Sequence, residues 1–429
     1  MENYCTSLFF NRRHTMRKLF FFLLFVVTGI FPCHSKQMGN NLFDDSAMTK
    51  LITLMDSITA RNAGYERVIA QLDTLSRENR MKVIVSLRGR NANDSVLRTM
   101  IDELLALEPY QTYFSRFRNV TPADFRLAFN TLPYVGLDSP GSIAETFYEL
   151  IHHRNVFQEW YRTIRGKIDI QRCVTAAREW LPKGEYPLNK IYFIYDGNAG
   201  SFAEQGCAFF NLCSEVVSKM PREKRFKNMD EVNIGVLEGV IAHELNHVMA
   251  EPILFPAGRT FTSWEDRWKD RITRNIVSEG VAFRCNPITG FQKNLSEDRA
   301  TIVSLLKELN GKLLSLDRHE LQENDVREWY GKLFQEFAAS LLKQYLQKTY
   351  PDSAVKTLAV QNSVFRPDLV HALGWWMVSR ITENGVKKEK AIELLTNPAS
   401  LYELYNKTLE RGMDDVAVDA RVVAMFSKH

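Results

Sequence analysis

Apolar positions recur at three- and four-residue intervals over most of the chain. Leu51, Leu54, Met55 and Ile58 form one such series, and Leu97, Met100, Ile101, Leu104 and Leu105 another, so the stretch from Met48 to about Phe129 is predicted to be helical. A second helical stretch runs from Ile143 through Trp180, with Phe147, Leu150 and Ile151 on one face. The pattern changes near Pro187. Lys190 to Tyr195 is short and rich in β-branched and aromatic residues, Asp196 to Gly200 is a turn sequence, and Cys207 to Cys213 is a second short apolar run. These predict two strands of a small sheet. Helical spacing then resumes over Glu231–Glu251 (Asp230 as N-cap, Pro252 as stop), Trp264–Phe283, Ser296–Leu316, Val326–Tyr350, Leu369–Asn384 and most of Leu401–Phe426. The expected fold is mainly α (α+β), with one small mixed sheet set in the middle of the chain.

Within the Glu231–Glu251 helix, 100° per residue places Ile234, Leu237, Ile241, Leu245 and Val248 on one stripe. His243 and His247 fall roughly opposite, among Val236, Val240 and Gly239. A helix apolar on both faces is central, and its histidines then look into a cleft walled by other elements.

Composition narrows the function classes. The chain has 429 residues with 55 Lys+Arg against 51 Asp+Glu. Four of those cations (Arg12, Arg13, Arg17, Lys18) and one acid (Glu2) lie in the first 35 residues, leaving 51 − 50 = +1 for the rest. A near-neutral chain without a basic cluster has no electrostatic case for nucleic acid or an anionic membrane. The N-terminal stretch has the form of a signal peptide: Arg17-Lys18, an apolar run from Leu19 to Phe31 too short to span a bilayer, and small residues at Cys33 and Ser35 before Lys36. The expectation is an exported, periplasmic or secreted protein without stable membrane insertion after cleavage. Met16 is an alternative start, and Pro32 argues against lipid attachment at Cys33. Four cysteines would remain after cleavage. Cys207 and Cys213, six residues apart on one strand, would be about 20 Å apart, too far for a disulfide.

The chemistry concentrates at residues 243–247, His-Glu-Leu-Asn-His. Two histidines four apart on a helix point the same way and can share one tetrahedral zinc, with Glu244 beside the open coordination position. A third ligand is required. Glu279, in Ser278-Glu279-Gly280, follows one turn after Ile276 on a helix with Trp264, Trp268, Ile272 and Ile276 at four-residue spacing. Gly280 is read as permitting close approach by the His243–His247 helix. Glu251, Glu265 and Asp266 compete with Glu279. His319 is the next histidine after His247, so the metzincin pattern is absent. A phosphate-binding glycine loop and a G-x-S-x-G elbow are absent too.

With these motifs the chain resembles the gluzincin class of zinc metallopeptidases, and more narrowly exported bacterial zinc-dependent protease families of undefined substrate. The segments KIYFIYDGNAG (190–200), CAFFNLC (207–213) and HALGWWMVSRI (371–381) fit the same picture. The resemblance covers about Lys190 to Arg380. It implies a zincin-like core, zinc held by two His and one Glu, Glu244 as catalytic base, and a peptide or protein substrate. It also points to His371 as the donor to the oxyanion, with Tyr195 next. The Ala208–Leu212 strand, as an edge strand, would bind an extended peptide. The expected organisation is a signal peptide (1–35), an N-terminal helical region (36–186), a catalytic core (187–290) and a C-terminal helical region (291–429). A non-catalytic binding protein on the same scaffold, or a hydrolase of another amide such as a peptidoglycan cross-link, are the competing functions.

Overall fold

The computed structural model describes residues 42–117, 120–132, 143–196, 200–215, 234–285, 299–330, 369–383, 387–410 and 412–427. The leading segment, Asp230 and residues 331–350 of the expected helices lie outside them.

Among the described residues a two-residue strand, β1 (Phe43–Asp44), precedes nine helices: α1 (Ser46–Arg61), α2 (Tyr65–Asp73), α3 (Arg77–Asn93), α4 (Ser95–Leu105), α5 (Glu108–Arg116), α6 (Pro122–Thr131), α7 (Ile143–His152), α8 (Arg154–Lys167) and α9 (Ile170–Arg178). The long helical stretches expected from periodicity are thus cut into short helices, each cut with a local cause. Asp94 ends α3 and caps α4, its carboxylate accepting from the Val96 and Leu97 amides at 3.0 and 3.1 Å. Thr121 and Asp124 form a capping box ahead of Pro122. Asp169 caps α9. The apolar faces of α1, α4, α6 and α7 meet in a core rich in aromatics, among them Tyr110, Tyr113, Phe125, Phe129 and Phe147.

The sheet has strand order β1-β2-β4-β3, with β2 at Lys190–Ile194, β3 at Phe202–Glu204 and β4 at Cys207–Asn211. β1, β2 and β4 are parallel, and β3 runs antiparallel to β4. Side chains alternate with period two. Phe202, Phe209 and Tyr192 stack along one face, with ring centroids 4.5 and 5.2 Å apart, while Phe43, Phe193 and Phe210 pack on the other. The expected second strand is shorter at its end, because Leu212 and Cys213 already belong to a short helix, α10 (Leu212–Glu215). More importantly, β4 is an interior strand with every residue buried. The expectation that it forms the edge is wrong. The edge on that side is β3, joined to β4 by a tight turn at Gln205-Gly206 in which both residues have positive φ (51° and 75°). Cys173, Cys207, Cys213 and Cys285 are buried thiols.

The central helix α11 (Ile234–Leu254) is buried on both sides, as its two-sided apolar pattern requires. It packs against α9, against β3 and β4, and against α12 (Trp264–Ala282). Glu238, buried within α11, accepts from the Asp169 amide at 2.8 Å and from Arg172 at 2.5 Å, fastening α9 to this helix. Pro252 does not stop α11, which continues to Leu254. Proline removes one amide and forbids one upstream contact, and near a helix end that loss is small. The final turn is held from outside, since buried Arg274 of α12 donates to the Leu254 carbonyl and pairs with Asp270.

The remaining described helices are α13 (Arg299–Asp317), α14 (Leu369–Glu383), α15 (Lys388–Thr396), α16 (Leu401–Lys407) and α17 (Ala420–Phe426), with residues 323–330 also helical. α14 lies closest to α12. A methyl group on Gly374 would stand 2.5 Å from the Ile276 carbonyl oxygen and 2.8 Å from the Gly280 nitrogen, and one on Gly280 would strike the Gly374 carbonyl and Val378. Gly280 therefore admits α14, not α11 as the sequence suggested. Among the described residues no helix is long and apolar enough to cross a membrane.

Candidate metal centre

α11 and α12 carry the donors. His243 and His247 are one turn apart, with ring centroids 4.6 Å apart and planes at 83°, so their Nε2 atoms meet at 3.0 Å. Glu279 of α12 places Oε2 3.4 Å from each of those nitrogens. Among the described residues, His243, His247 and Glu279 form a group whose donor atoms all lie within 4.8 Å of one another.

This spacing can be tested against zinc. Ligands about 2.0–2.1 Å from a tetrahedral ion stand about 3.3 Å from each other. The observed 3.0, 3.4 and 3.4 Å bracket that value. The donor set, two imidazoles and one carboxylate, is one that holds catalytic zinc with a fourth position open. Geometry and chemistry therefore both fit the ion.

The surroundings prepare the donors. His247 Nδ1 lies 2.9 Å from Ser278 Oγ. With Nε2 turned to a metal, Nδ1 carries the proton and donates to that hydroxyl, which fixes the ring. His243 Nδ1 is buried with no hydrogen-bond partner among the described residues, and its ring is held edge-on by Phe283 at 4.9 Å. Burial opposes ionisation of Glu279, but the neighbouring His371, His247 and His243 outweigh it and hold the carboxyl well below the usual range. Glu279 is thus a carboxylate, as a ligand must be.

The other sequence candidates fall in different places. Glu244 is half-buried on α11 between the two histidines. His371, on α14, brings Nε2 to 3.2 Å from Glu279 Oε2, so three imidazoles surround one carboxylate oxygen. It stands outside the three-residue donor group. Glu251 lies one turn beyond His247 on the side of β3. The surrounding protein raises its carboxyl, the charge of Glu204 adds to that, and Arg116 and His247 oppose it. Glu265 is bonded to His319 Nδ1 at 2.8 Å, and Asp266 pairs with Lys269 at 2.9 Å. Tyr195 points into the aromatic core against Phe147 and Phe157, not towards the histidines. His152 is half-buried against Tyr148 and Tyr65, away from these donors.

Sequence reasoning assigned no role to Ser278 or Phe283. Ser278 had a visible signal, since it precedes the candidate ligand in Ser-Glu-Gly. Replacing Ser278 with alanine is expected to weaken zinc binding by about 10- to 100-fold. Competition with a chromophoric chelator measures this, and an unchanged affinity would show that the hydroxyl does not orient His247.

No curated protein and no solved structure matches the chain. Residues 101–412 match a family model that takes in α5 to α9, the strands β2 to β4, the three donors and α14. The chain therefore belongs to the family described as "Putative zinc dependent peptidase (DUF5700)".

Proposed function

We propose that the protein is an exported zinc metallopeptidase that hydrolyses peptide bonds, with His243, His247 and Glu279 as zinc ligands and Glu244 as general base. The observation that carries this reading is the convergence of the three donors at zinc-like spacing, with a glutamate between the two histidines on the same helix. A zinc held there supplies Lewis acidity, lowering the pKa of water and polarising a carbonyl. Glu244, next to His243 and three residues before His247, takes the proton of the attacking water and returns it to the departing amine. His371 donates to the oxygen of the tetrahedral species, in keeping with its place beside Glu279 on a separate helix. The edge strand β3, packed beside α11, offers the Ala203 amide to one end of an extended peptide. Export is proposed from the leader-like first 35 residues.

The test is cleavage of a mixed peptide library by protein stripped of metal with a chelator and then restored. Cleavage lost on stripping and recovered with zinc is the expected result. Cleavage that survives stripping, or is absent from the zinc-loaded protein, would overturn the reading.

A further inference from the structure

The open edge of the sheet has an unusual hydrogen-bonding character. In a hairpin with a two-residue loop, the residues flanking the loop exchange both main-chain bonds, and the next pair turns its amide and carbonyl groups outwards. The flanking pair here is Glu204 and Cys207, so Ala203, opposite Ala208, presents its N–H and C=O to the open side of β3. Its carbonyl is already taken. Arg116, from the end of α5, donates from one terminal nitrogen both to Ala203 O at 3.2 Å and to Glu204 Oε2 at 2.6 Å.

The guanidinium is fixed in orientation by Phe117 and Phe202, whose ring centroids lie 5.6 and 5.2 Å from its carbon. Its second terminal nitrogen and Nε make no bond among the described residues, and the side chain is 39% exposed. Along its main chain the edge therefore offers a donor, the Ala203 N–H, beside the unused guanidinium N–H groups, while the outward Ala203 carbonyl is occupied and the Glu204 carboxylate is paired with Arg116. An internal stretch of peptide brings alternating donors and acceptors and would find its N–H unmatched there. A carboxylate brings acceptors only, and the planar guanidinium suits it. The place adjoins the helix that carries two of the metal-centre donors, since β3 packs against α11.

We propose that Arg116, with the Ala203 amide, binds the C-terminal carboxylate of the peptide substrate, making Arg116 a specificity-determining residue that favours chain ends over internal segments. This rests on the peptide cleft proposed above. It places a residue of the N-terminal helices in direct contact with substrate.

The experiment measures fluorescence anisotropy of labelled hexapeptide mixtures on the zinc-loaded Glu244→Gln protein, with and without Arg116→Gln or Arg116→Lys. Three sets are compared: C-terminal acids, C-terminal amides, and amides carrying one internal aspartate. Acids are expected to bind at least about tenfold tighter than either amide set, a factor of ten in Kd being about 1.4 kcal/mol. Arg116→Gln should remove that preference while leaving the amides nearly unchanged, and Arg116→Lys should retain part of it. Equal binding of acids and amides, equal loss on both in both variants, or internal aspartate matching the terminal acid would overturn the proposal. Cleavage of the same peptides by the unaltered chain is assayed alongside. Acid-selective binding without cleavage would defeat the peptidase reading and leave this assignment standing.

Discussion

Glu244→Gln is expected to bind zinc as the unaltered chain does and to lose peptide hydrolysis by on the order of a thousandfold. That corresponds to about 4 kcal/mol of transition-state stabilisation. Glutamine keeps the size and hydrogen-bonding reach of glutamate but cannot accept the proton of the attacking water. Because Glu244 lies on the same helix as both histidines yet outside the three-donor group, the substitution leaves the ligand set whole. Zinc content, circular dichroism and initial rates on a cleaved peptide check this. An unchanged rate would remove Glu244 from the mechanism. Loss of zinc along with activity would give it a role in holding the metal.

The second large effect is expected at a residue that touches no substrate. Gly374→Ala should destabilise the fold by about 3 kcal/mol, at the upper end for overpacking, because the added methyl meets backbone and not a side chain that can rotate away. The sign is diagnostic. In a helix without close neighbours, Gly→Ala stabilises by up to about 1 kcal/mol. Here the methyl would press on the Ile276 carbonyl and the Gly280 nitrogen and approach Glu279 Cβ to 3.2 Å, forcing α14 away from α12. His371, one turn earlier on α14, would lose its 3.2 Å contact with Glu279. A lowered melting temperature together with reduced turnover at temperatures where the variant is folded is the expected result. A variant that melts higher and turns over normally would show that the close helix crossing does not position His371.

How far the sequence reveals this arrangement depends on the range of each interaction. The donors on α11 are legible because the spacing of His243 and His247 is local to one helix, and Glu279 follows from the packing rhythm of its own helix. The two longer strands show in their aromatic and β-branched runs. β1 and β3, with two and three residues, are too short to show any period. The edge strand was misassigned for the same reason: strand order is set by pairing between distant segments, and CAFFNLC has the apolar character of an interior strand. Gly280 was correctly seen as a point of close approach but matched to the wrong helix, because the complementary Gly374 sits in a separate stretch of chain. Pro252 was read as a stop, although Arg274 supplies from another helix the bond that keeps the last turn in place. Tyr195 continues a strand whose far face belongs to the helical core, and a one-dimensional pattern does not say which face looks at the histidines. Arg116 gave no signal at all, being one arginine at the end of one helix until the fold sets it against β3.

Metal analysis by plasma spectrometry of the unaltered chain beside His243→Ala, His247→Ala and Glu279→Ala tests the central claim most directly. The account predicts about one zinc per unaltered chain, none retained by either histidine variant, and strongly weakened retention in Glu279→Ala. Full occupancy in any histidine variant, or no zinc in the unaltered chain, would contradict it.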